Sequence, residues 1–429
     1  MRYGIVVDNL IDCVNREKPI KKKCTLIINN NKIESIILNN KKGDIKYNYN
    51  KRNEFEVINA EKYTLMPGLI DSHVHLMMDY HWEQWDNWVD HQKKEIILLN
   101  SVKNISQLLN SGVTTAMDCG ASDSISFILR EAVQEGIIEG PRLAISGNPI
   151  TITGGHCYFM GGEADNKFEI IKAVRKMCKL NVDFIKFMAT GGSLTPKSDR
   201  RRTQYDLEET KALVDESHKW GKKVCAHAIG TEGIVNAVKS GVDTIEHCAW
   251  VAPKTGFLFD ESTVSEMVEK KIFVDPCLPY TLRYKVYPEK ETGQYVNSTQ
   301  SNKSVIEDRA ILLRKTFLAG VRMLAGTDAG VPGIDFCKTY LSIKLLNDWL
   351  GIPKIDSIFG ATNYAAEALG LQDQIGTIEE GKIADLIIVD GNPLEKLDVL
   401  KNVIMVIKDG RIKYFDNSKF KSEAIDTFK

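Results

Sequence analysis

The fold class that the sequence predicts is α/β: a (β/α)8, TIM-like barrel with a small β-sandwich domain built from the N- and C-terminal segments. Two observations predict it. Between residues 65 and 328, apolar strand-like runs alternate with helix-length amphipathic segments, and eight such strands can be counted. Outside this stretch, short β-type runs are separated by polar turns. The predicted domains are the barrel, 63–371, and a composite sandwich made of 1–62 and 372–429.

The alternation is regular along the barrel segment. Several helix-length segments end in a glycine shortly before the next strand, as the segment 206–220 does at Gly221. The predicted strands are 65–76, 113–118, 142–146, 182–188, 223–227, 242–247, 272–276 and 321–328. A doubly wound open sheet is the alternative, but no GxGxxG motif follows an early strand.

Composition narrows the class of protein. The chain has 429 residues, of which 43% are hydrophobic and 26% charged, as in enzymes with a substantial core. Its net charge of −1 gives no bulk attraction to nucleic acid or to an anionic membrane. The sequence contains no apolar run of about 18 residues, so we expect no membrane span.

The nine cysteines are scattered and form no CxxC pair. Together with an N-terminus that lacks the features of a signal peptide, they indicate reduced thiols in a cytoplasmic protein. Cysteines next to predicted strand ends are interpreted as small buried hydrophobic residues.

The pair His73-Val-His75 marks the end of the first predicted barrel strand. Because side chains alternate along a strand, both imidazoles point the same way. Two converging imidazoles at a strand end are poor packing for a core and good ligands for a metal. A pair of surface histidines at the start of a loop is the alternative.

Four further polar residues end other predicted strands: Lys186 on the fourth, His227 on the fifth, His247 on the sixth and Asp328 on the eighth. The carboxyl ends of barrel strands all face one mouth, where active sites lie. Each residue alone has an ordinary structural explanation. Four of the chain's eight histidines at strand ends, with a lysine and an aspartate, indicate a metal site.

Lys186 requires a separate argument, because an ammonium has no lone pair with which to bind a cation. Carboxylation would convert it to N6-carboxylysine, an anion with two oxygens that can bridge two metals about 3.5–4 Å apart. His73 and His75 would then hold one divalent ion, and His227 and His247 the other. Asp328 would bind a metal and exchange a proton with the bridging hydroxide. Zinc fits this set best, with Mn or Co as alternatives.

These residues resemble the amidohydrolase superfamily over essentially the whole chain. The motifs that carry the resemblance are PGLIDSHVH at 67–75, IKF at 185–187, HAIG at 227–230, DTIEH at 243–247, AGTD at 325–328 and GTIEEGKIADLII at 376–388. The sequence looks most similar to the branch with imidazolonepropionase-related enzymes, prolidase-like dipeptidases and zinc carboxypeptidases. The resemblance implies hydrolysis of an amide-type bond at a binuclear metal centre bridged by carboxylated Lys186. It also implies a homo-oligomer.

The substrate side of the pocket is less well determined. In similar dipeptidase-like proteins the histidine of a TGGH motif faces the substrate, which assigns that role to His156, with Tyr158 nearby. Arg200 or Arg202 could pair with a substrate carboxylate, and a solvated basic loop is the alternative. Prolidase-like members are expected to carry tyrosine where this chain has Ile229, which argues against a simple dipeptidase assignment.

Two segments near the predicted mouth carry aromatic residues. Trp82, Trp85 and Trp88 have the spacing of one helical stripe, for which core packing is the favoured interpretation. The tyrosine-rich segment 278–302 is a candidate lid.

The sequence thus predicts a metal-dependent hydrolase that cleaves an amide bond of a peptide or N-acyl amino acid through attack by a metal-bridging hydroxide. Its substrate would be a small molecule with an amide bond and a carboxylate. One alternative is hydrolysis of a cyclic amide, urea, ester or xenobiotic amide. A second is a non-catalytic assembly protein with the same fold, which the intact set of ligand types disfavours.

Overall fold

The computed structural model describes residues 1–38, 56–81, 93–253, 256–281, 302–416 and 418. The three tryptophans of the predicted stripe, Trp82, Trp85 and Trp88, lie outside the described residues. Of the candidate lid, only 278–281 and residue 302 are described. No helix in these ranges is both long enough and apolar enough to cross a membrane.

Strands from both ends of the chain form one seven-stranded sheet, the terminal sheet, in the order β15-β14-β13-β4-β1-β2-β3. Its strands are β1 (Arg2–Ile11), β2 (Ile20–Asn29), β3 (Lys32–Leu38), β4 (Glu56–Pro67), β13 (Leu386–Val389), β14 (Val403–Lys408) and β15 (Arg411–Phe415). Strands from both ends of the chain therefore pair within one sheet. Hydrogen bonds from Ile33 N to Lys382 O and from Gly381 N to Ile33 O also bring β3 against the segment before β13. The hydrogen bonding runs through one sheet, and the two-layered sandwich stays a prediction.

Gly68 separates the terminal sheet from the parallel strands. The last residue of β4, Pro67, still pairs with Leu386 of the terminal sheet, past the predicted boundary between residues 62 and 63. The next strand, β5 (Leu69–Val74), already pairs in parallel with β6 (Val113–Asp118). A Cβ at Gly68 would lie 2.2 Å from Thr114 Oγ1, so only glycine fits this crossing.

Parallel strands and helices alternate after Gly68. Two parallel ladders are formed, β5-β6-β7 and β8-β9-β10-β12, and β11 adds an antiparallel edge to β10. Their remaining strands are β7 (Arg142–Ile145), β8 (Phe184–Met188), β9 (Lys223–Gly230), β10 (Thr244–Ala252), β11 (Gly256–Phe257) and β12 (Phe273–Asp275). Backbone bonds from Asp183 N to Ile145 O and from Ile150 N to Lys186 O join the two ladders.

The eighth predicted strand, 321–328, is not a regular strand. It makes one isolated parallel bridge, from Met323 to Val274 of β12, and the residue that follows it, Ala329, makes another to Val74 of β5. Asp328 has a left-handed backbone, with φ of 61°, which interrupts any ladder. The apolar pattern alone does not reveal this interruption, because it depends on how Asp328 is placed at the site.

The helices lie between the strands, as the βα alternation predicts. They are α1 (Lys94–Asn110), α2 (Ile125–Gln134), α3 (Lys167–Lys179), α4 (Leu207–Lys219), α5 (Thr231–Ser240), α6 (Glu261–Glu269), α7 (Leu278–Thr281), α8 (Asn302–Leu318), α9 (Thr339–Leu350), α10 (Lys354–Phe359) and α11 (Asn363–Ala368). The predicted helix at 206–220 is confirmed. Asp206 caps α4 by accepting from Glu209 N at 2.8 Å, and the Glu209 side chain returns a bond to Asp206 N in a capping box.

Arg142, on β7, ties the parallel strands to the terminal sheet. Its guanidinium lies 2.5 Å from Asp385 Oδ2 and 2.7 Å from Asp409 Oδ1. The Asp385 side chain is only 3% exposed, whereas that of Arg142 is 26% exposed. Burial raises the pKa of Asp385, and Arg142 opposes that shift.

We expect Arg142→Met to lower the free energy of unfolding by about 2 kcal/mol. Removing one partner of a buried pair usually costs more, but the exposure of Arg142 weakens this pair. Urea unfolding followed by circular dichroism measures the change. Arg411→Met, an exposed site on the β14–β15 hairpin, is the control and should change stability by less than about 0.5 kcal/mol. Equal effects of the two substitutions would contradict the role given to Arg142.

Candidate metal centre

The six predicted metal ligands all line one buried cavity. They reach it from β5 and the residue after it, from β8, β9 and β10, and from the segment between α8 and α9. The lining residues are His73, His75, His156, Cys157, Lys186, Met188, Ser193, Leu194, His227, Ile229, His247, Tyr280 and Asp328. The positions selected from the sequence are therefore brought together by the fold.

His73, His75 and Asp328 form one corner of the cavity. The two Nε2 atoms are 3.2 Å apart, and each lies 3.5 Å from Asp328 Oδ1. Backbone bonds set this geometry, because Asp328 N donates to His73 O and His75 N donates to Ala329 O, both at 2.8 Å. The carboxylate is thereby held against both imidazoles.

His227 and His247 form the opposite corner, with ring centroids 4.6 Å apart. His247 follows Glu246 directly, so regular alternation would turn it away from the cavity. Its left-handed backbone, with φ of 66°, breaks that alternation, and the β9–β10 register shifts after it. Arg309 Nη2 donates to His247 O at 2.9 Å and to Pro276 O at 2.5 Å, which links the interior of β10 to the residue that follows β12.

Lys186 contacts the carboxylate of Glu246 at the floor of the cavity, and both side chains are 1% exposed. Glu246 Oε1 also lies 3.6 Å from His73 Nδ1. The sequence interpretation missed Glu246. Its register partner in the parallel ladder is His227, so strand parity was the signal that could have placed it on the inner face.

The imidazoles are held in their neutral form. Burial is the largest cause that lowers the pKa of His73, His227 and His247 well below its usual value, and the positive Lys186 lowers it further. The same causes lower the pKa of His75 to about 3. A neutral imidazole offers the lone pair that a metal requires.

The donor set fits divalent cations. Among the described residues, four groups of three have ligand atoms within 4.8 Å of one another, and two of them contain the paired histidines: His73 with His75 and Asp328, and His227 with Glu246 and His247. His247 Nδ1 has no hydrogen-bond partner among the described residues, although it is buried. Neutral imidazoles and carboxylates are the usual ligands of zinc.

His156 lies beside His227, with ring centroids 4.5 Å apart. Its Nδ1 is 3.0 Å from Thr195 Oγ1, so this hydroxyl fixes the ring. Burial, followed by Lys186, lowers the pKa of His156 to about 3. It therefore faces the predicted ligands as a neutral donor or acceptor. Thr195 carried no signal in the sequence.

The other predicted substrate residues divide into two groups. Ile229 lines the cavity, whereas Tyr158, Arg200 and Arg202 are not among its described lining residues. The Arg202 side chain is 80% exposed and lies near Asp199, as in the solvated-loop alternative. Arg200 is buried, with 8% exposure.

The model of the Amidohydrolase family matches residues 64–413. The chain belongs to this family. It is accordingly a hydrolase, as the resemblance in its motifs predicts.

The chain is similar to proteins that carry the names of several different enzymes. Ochratoxinase from Aspergillus niger is 24% identical over 380 residues, which cover 81% of this chain and 75% of that protein. Imidazolonepropionase from Clostridium tetani is 22% identical over 421 residues and 86% of each chain. A solved Xaa-Pro dipeptidase with methionine bound in its active site is 28% identical, with a TM-score of 0.80 over 97% of this chain and 100% of that one.

Gly192 leaves the space that His156 occupies. A Cβ there would lie 2.2 Å from His156 Nε2. We expect Gly192→Ala to keep the fold and to lower kcat/KM by about 10²-fold, the cost of displacing a group at the reacting centre by about 1 Å. Steady-state kinetics on any substrate that the wild-type chain hydrolyses measures the loss.

The control is the same substitution in a His156→Ala background. Without a ring to displace, Gly192→Ala should add little further loss. Full additivity of the two losses would show that the glycine acts independently of His156.

Proposed function

We propose that this amidohydrolase is a binuclear metal-dependent enzyme that hydrolyses the amide bond of a peptide or an N-acyl amino acid. The observation that carries the proposal is the convergence of His73, His75, His227, His247 and Asp328 around Lys186 in one buried cavity. A cluster of four neutral imidazoles costs desolvation and contributes little apolar packing, so a role in binding explains it better than stability does.

We also propose that the parallel strands close into a (β/α)8 barrel around this site. The bridge between Met323 and Val274, and that between Ala329 and Val74, supply contacts between the two ends of the strand order. A small apolar cluster drawn from β6, β7, β8 and β9 suits the interior of such a barrel: Met117, Cys119, Ala144, Phe184 and Cys225. The site would then lie at the carboxyl ends of the strands.

His73 and His75 would hold one divalent ion and His227 and His247 the second, most suitably zinc, with Mn or Co as alternatives. Two such ions supply an activated water and polarise the carbonyl of the scissile bond. Asp328 completes the first pair, because its Oδ1 is equidistant from both Nε2 atoms.

N6-carboxylysine at Lys186 would provide a bridging anion between the ions. Lys186 now contacts Glu246, so carboxylation would exchange an ion pair for two neighbouring anions. Two divalent cations would offset that repulsion, which links carboxylation to metal binding. The low exposure of Lys186 protects such a carbamate from bulk water.

Asp328 would transfer the proton, and His156 would orient the substrate. The Asp328 carboxylate can accept the proton of the attacking water and return it to the leaving nitrogen. His156 Nε2 faces the cavity while Thr195 holds Nδ1, so it can donate to or accept from the substrate beside the scissile bond. Met188, Leu194 and Ile229 give the cavity an apolar side.

Hydrolysis of a cyclic amide, urea, ester or xenobiotic amide is the second candidate. The similarity to imidazolonepropionase and to ochratoxinase over most of the chain favours keeping it. Ile229, which replaces the tyrosine expected in prolidase-like proteins, points the same way.

Two measurements test the proposal. Metal analysis of the purified full-length chain should give close to two transition-metal ions per chain, and a folded chain that binds none would refute the metal centre. A panel of N-acyl amino acids, Xaa-Pro and Xaa-Arg dipeptides and cyclic imides should then show turnover of the first three groups. Turnover of cyclic imides alone would favour the second candidate.

We expect Asp328→Asn to lower kcat by at least about 10²-fold, the usual contribution of general acid–base catalysis. Asparagine tolerates the left-handed backbone at this position, so the fold should survive. Kinetics together with metal content distinguishes loss of the proton acceptor from loss of a ligand. Near-normal turnover by the metal-loaded variant would exclude the proton-transfer role.

A further inference from the structure

Cys277 lies directly behind one of the proposed metal ligands. Its Sγ is 3.2 Å from His73 Nδ1, and the thiol is fully buried. The other ring nitrogen of His73, Nε2, faces His75 and Asp328 on the cavity side. The two nitrogens of one imidazole therefore have separate partners, a thiol on one side and the proposed metal corner on the other.

The position of the sulfur is fixed by Asp275, at the end of β12. Cys277 N donates to Asp275 Oδ1 at 3.2 Å, and Sγ lies 3.5 Å from that oxygen and 3.6 Å from Asp275 O. Cys277 also has a left-handed backbone, with φ of 47°, which L residues adopt only at a cost. The chain thus holds the thiol in a strained position at the ring.

Asp275 is in turn held by two other segments. Ser72 Oγ donates to Oδ2 at 2.5 Å, and Gly326 N lies 3.1 Å from Oδ1 and 3.2 Å from Oδ2. A Cβ at Gly326 would lie 2.1 Å from Oδ2, so the close approach requires glycine. The Asp275 carboxylate therefore links Ser72, which directly precedes His73, to the segment that contains Gly326 and Asp328.

We propose that Cys277 is a positioning residue for His73. The sulfur accepts the Nδ1–H of His73, and its own S–H donates to Asp275. This arrangement fixes the tautomer in which the Nε2 lone pair points into the cavity. The proposal rests on His73 being a metal ligand, as put forward above. A metal-binding histidine usually gives its second N–H to a carboxylate or carbonyl, and here a thiol takes that place.

Glu246 is the competing acceptor for the same proton. Its Oε1 lies 3.6 Å from His73 Nδ1, beyond hydrogen-bond distance, and its carboxylate contacts Lys186. The sulfur lies closer, at 3.2 Å, although it is the larger atom. The thiol is therefore the better-placed partner.

If Cys277 only filled space, a different set of substitutions would preserve zinc binding. It would be replaced best by a residue of similar volume and apolar character, such as valine or alanine. A hydrogen-bond relay would be replaced best by serine, which can accept from His73 and donate to Asp275. A direct metal ligand is a third possibility, because Cys277, His73 and His247 have ligand atoms within 4.8 Å of one another. In that case serine would lose binding as severely as alanine.

The experiment is a zinc titration of the full-length chain in competition with a chromophoric chelator. We expect Cys277→Ala and Cys277→Val to weaken zinc binding at the site that contains His73 by about 10- to 100-fold. This is the usual cost of losing the hydrogen-bond partner of a metal-binding histidine. Cys277→Ser should bind nearly as tightly as wild type. Cys24→Ala, at a fully buried thiol in the terminal sheet, is the matched control and should leave zinc affinity unchanged.

Circular dichroism and the thermal midpoint of the metal-free variants report the fold independently of zinc. Valine preserves the volume if the alanine cavity proves too destabilising. Wild-type affinity in folded Cys277→Ala or Cys277→Val overturns the proposal, as does a Cys277→Ser variant that binds as weakly as the alanine variant. If wild type binds no zinc, the proposed function falls as well, whereas the other outcomes leave it intact.

Discussion

The site depends on one joint between β5 and residues 327–329, which are far apart in sequence. Asp71 accepts from Thr327 N at 3.1 Å and from Thr327 Oγ1 at 2.8 Å. The next residues continue the contact, because Asp328 N donates to His73 O and His75 N donates to Ala329 O. These two bonds hold the Asp328 carboxylate against the imidazoles of His73 and His75. Because every group in this joint is buried, each unmade bond would cost the full desolvation of a polar group. The joint therefore sets the ligand geometry with little freedom.

Three residues in or directly behind the same cavity have a strained backbone. His247, Cys277 and Asp328 all have left-handed backbones, with φ of 66°, 47° and 61°. Each such residue costs on the order of 1–3 kcal/mol and persists only where surrounding contacts over-determine it. Arg309 supplies part of that constraint by donating hydrogen bonds to the carbonyls of His247 and Pro276. The left-handed conformation turns the side chains of His247 and Asp328 into the cavity, whereas a regular strand would point them elsewhere.

Electrostatics explains why the cavity is suited to cations. The cavity brings together five neutral imidazoles and one ion pair, Lys186 with Glu246, in a medium that stabilises charge poorly. Divalent ions would meet ligands that are already deprotonated. The hydrogen-bond relay from His73 through Cys277 to Asp275 positions one of these ligands from outside the cavity. The terminal sheet lies outside the site and contributes through Gly68, where the chain passes into β5.

The sequence by itself determined the family and selected the candidate ligands. His73 and His75 are two apart on a strand, and Lys186, His227, His247 and Asp328 end predicted strands, so parity and position were sufficient to select them. The amphipathic pattern of 206–220 and the glycine that follows it likewise predicted α4, since these signals lie within a few residues of each other.

Only the tertiary structure decided the partners of those ligands. Cys277 and His73 are 204 residues apart, and neither the contact nor the left-handed turn that permits it has a local signature. Glu246 lies on the inner face because of its register with His227, and 321–328 departs from a regular strand because Asp328 must turn into the cavity. Local propensity acts between neighbours in sequence, whereas these features arise from packing between distant segments.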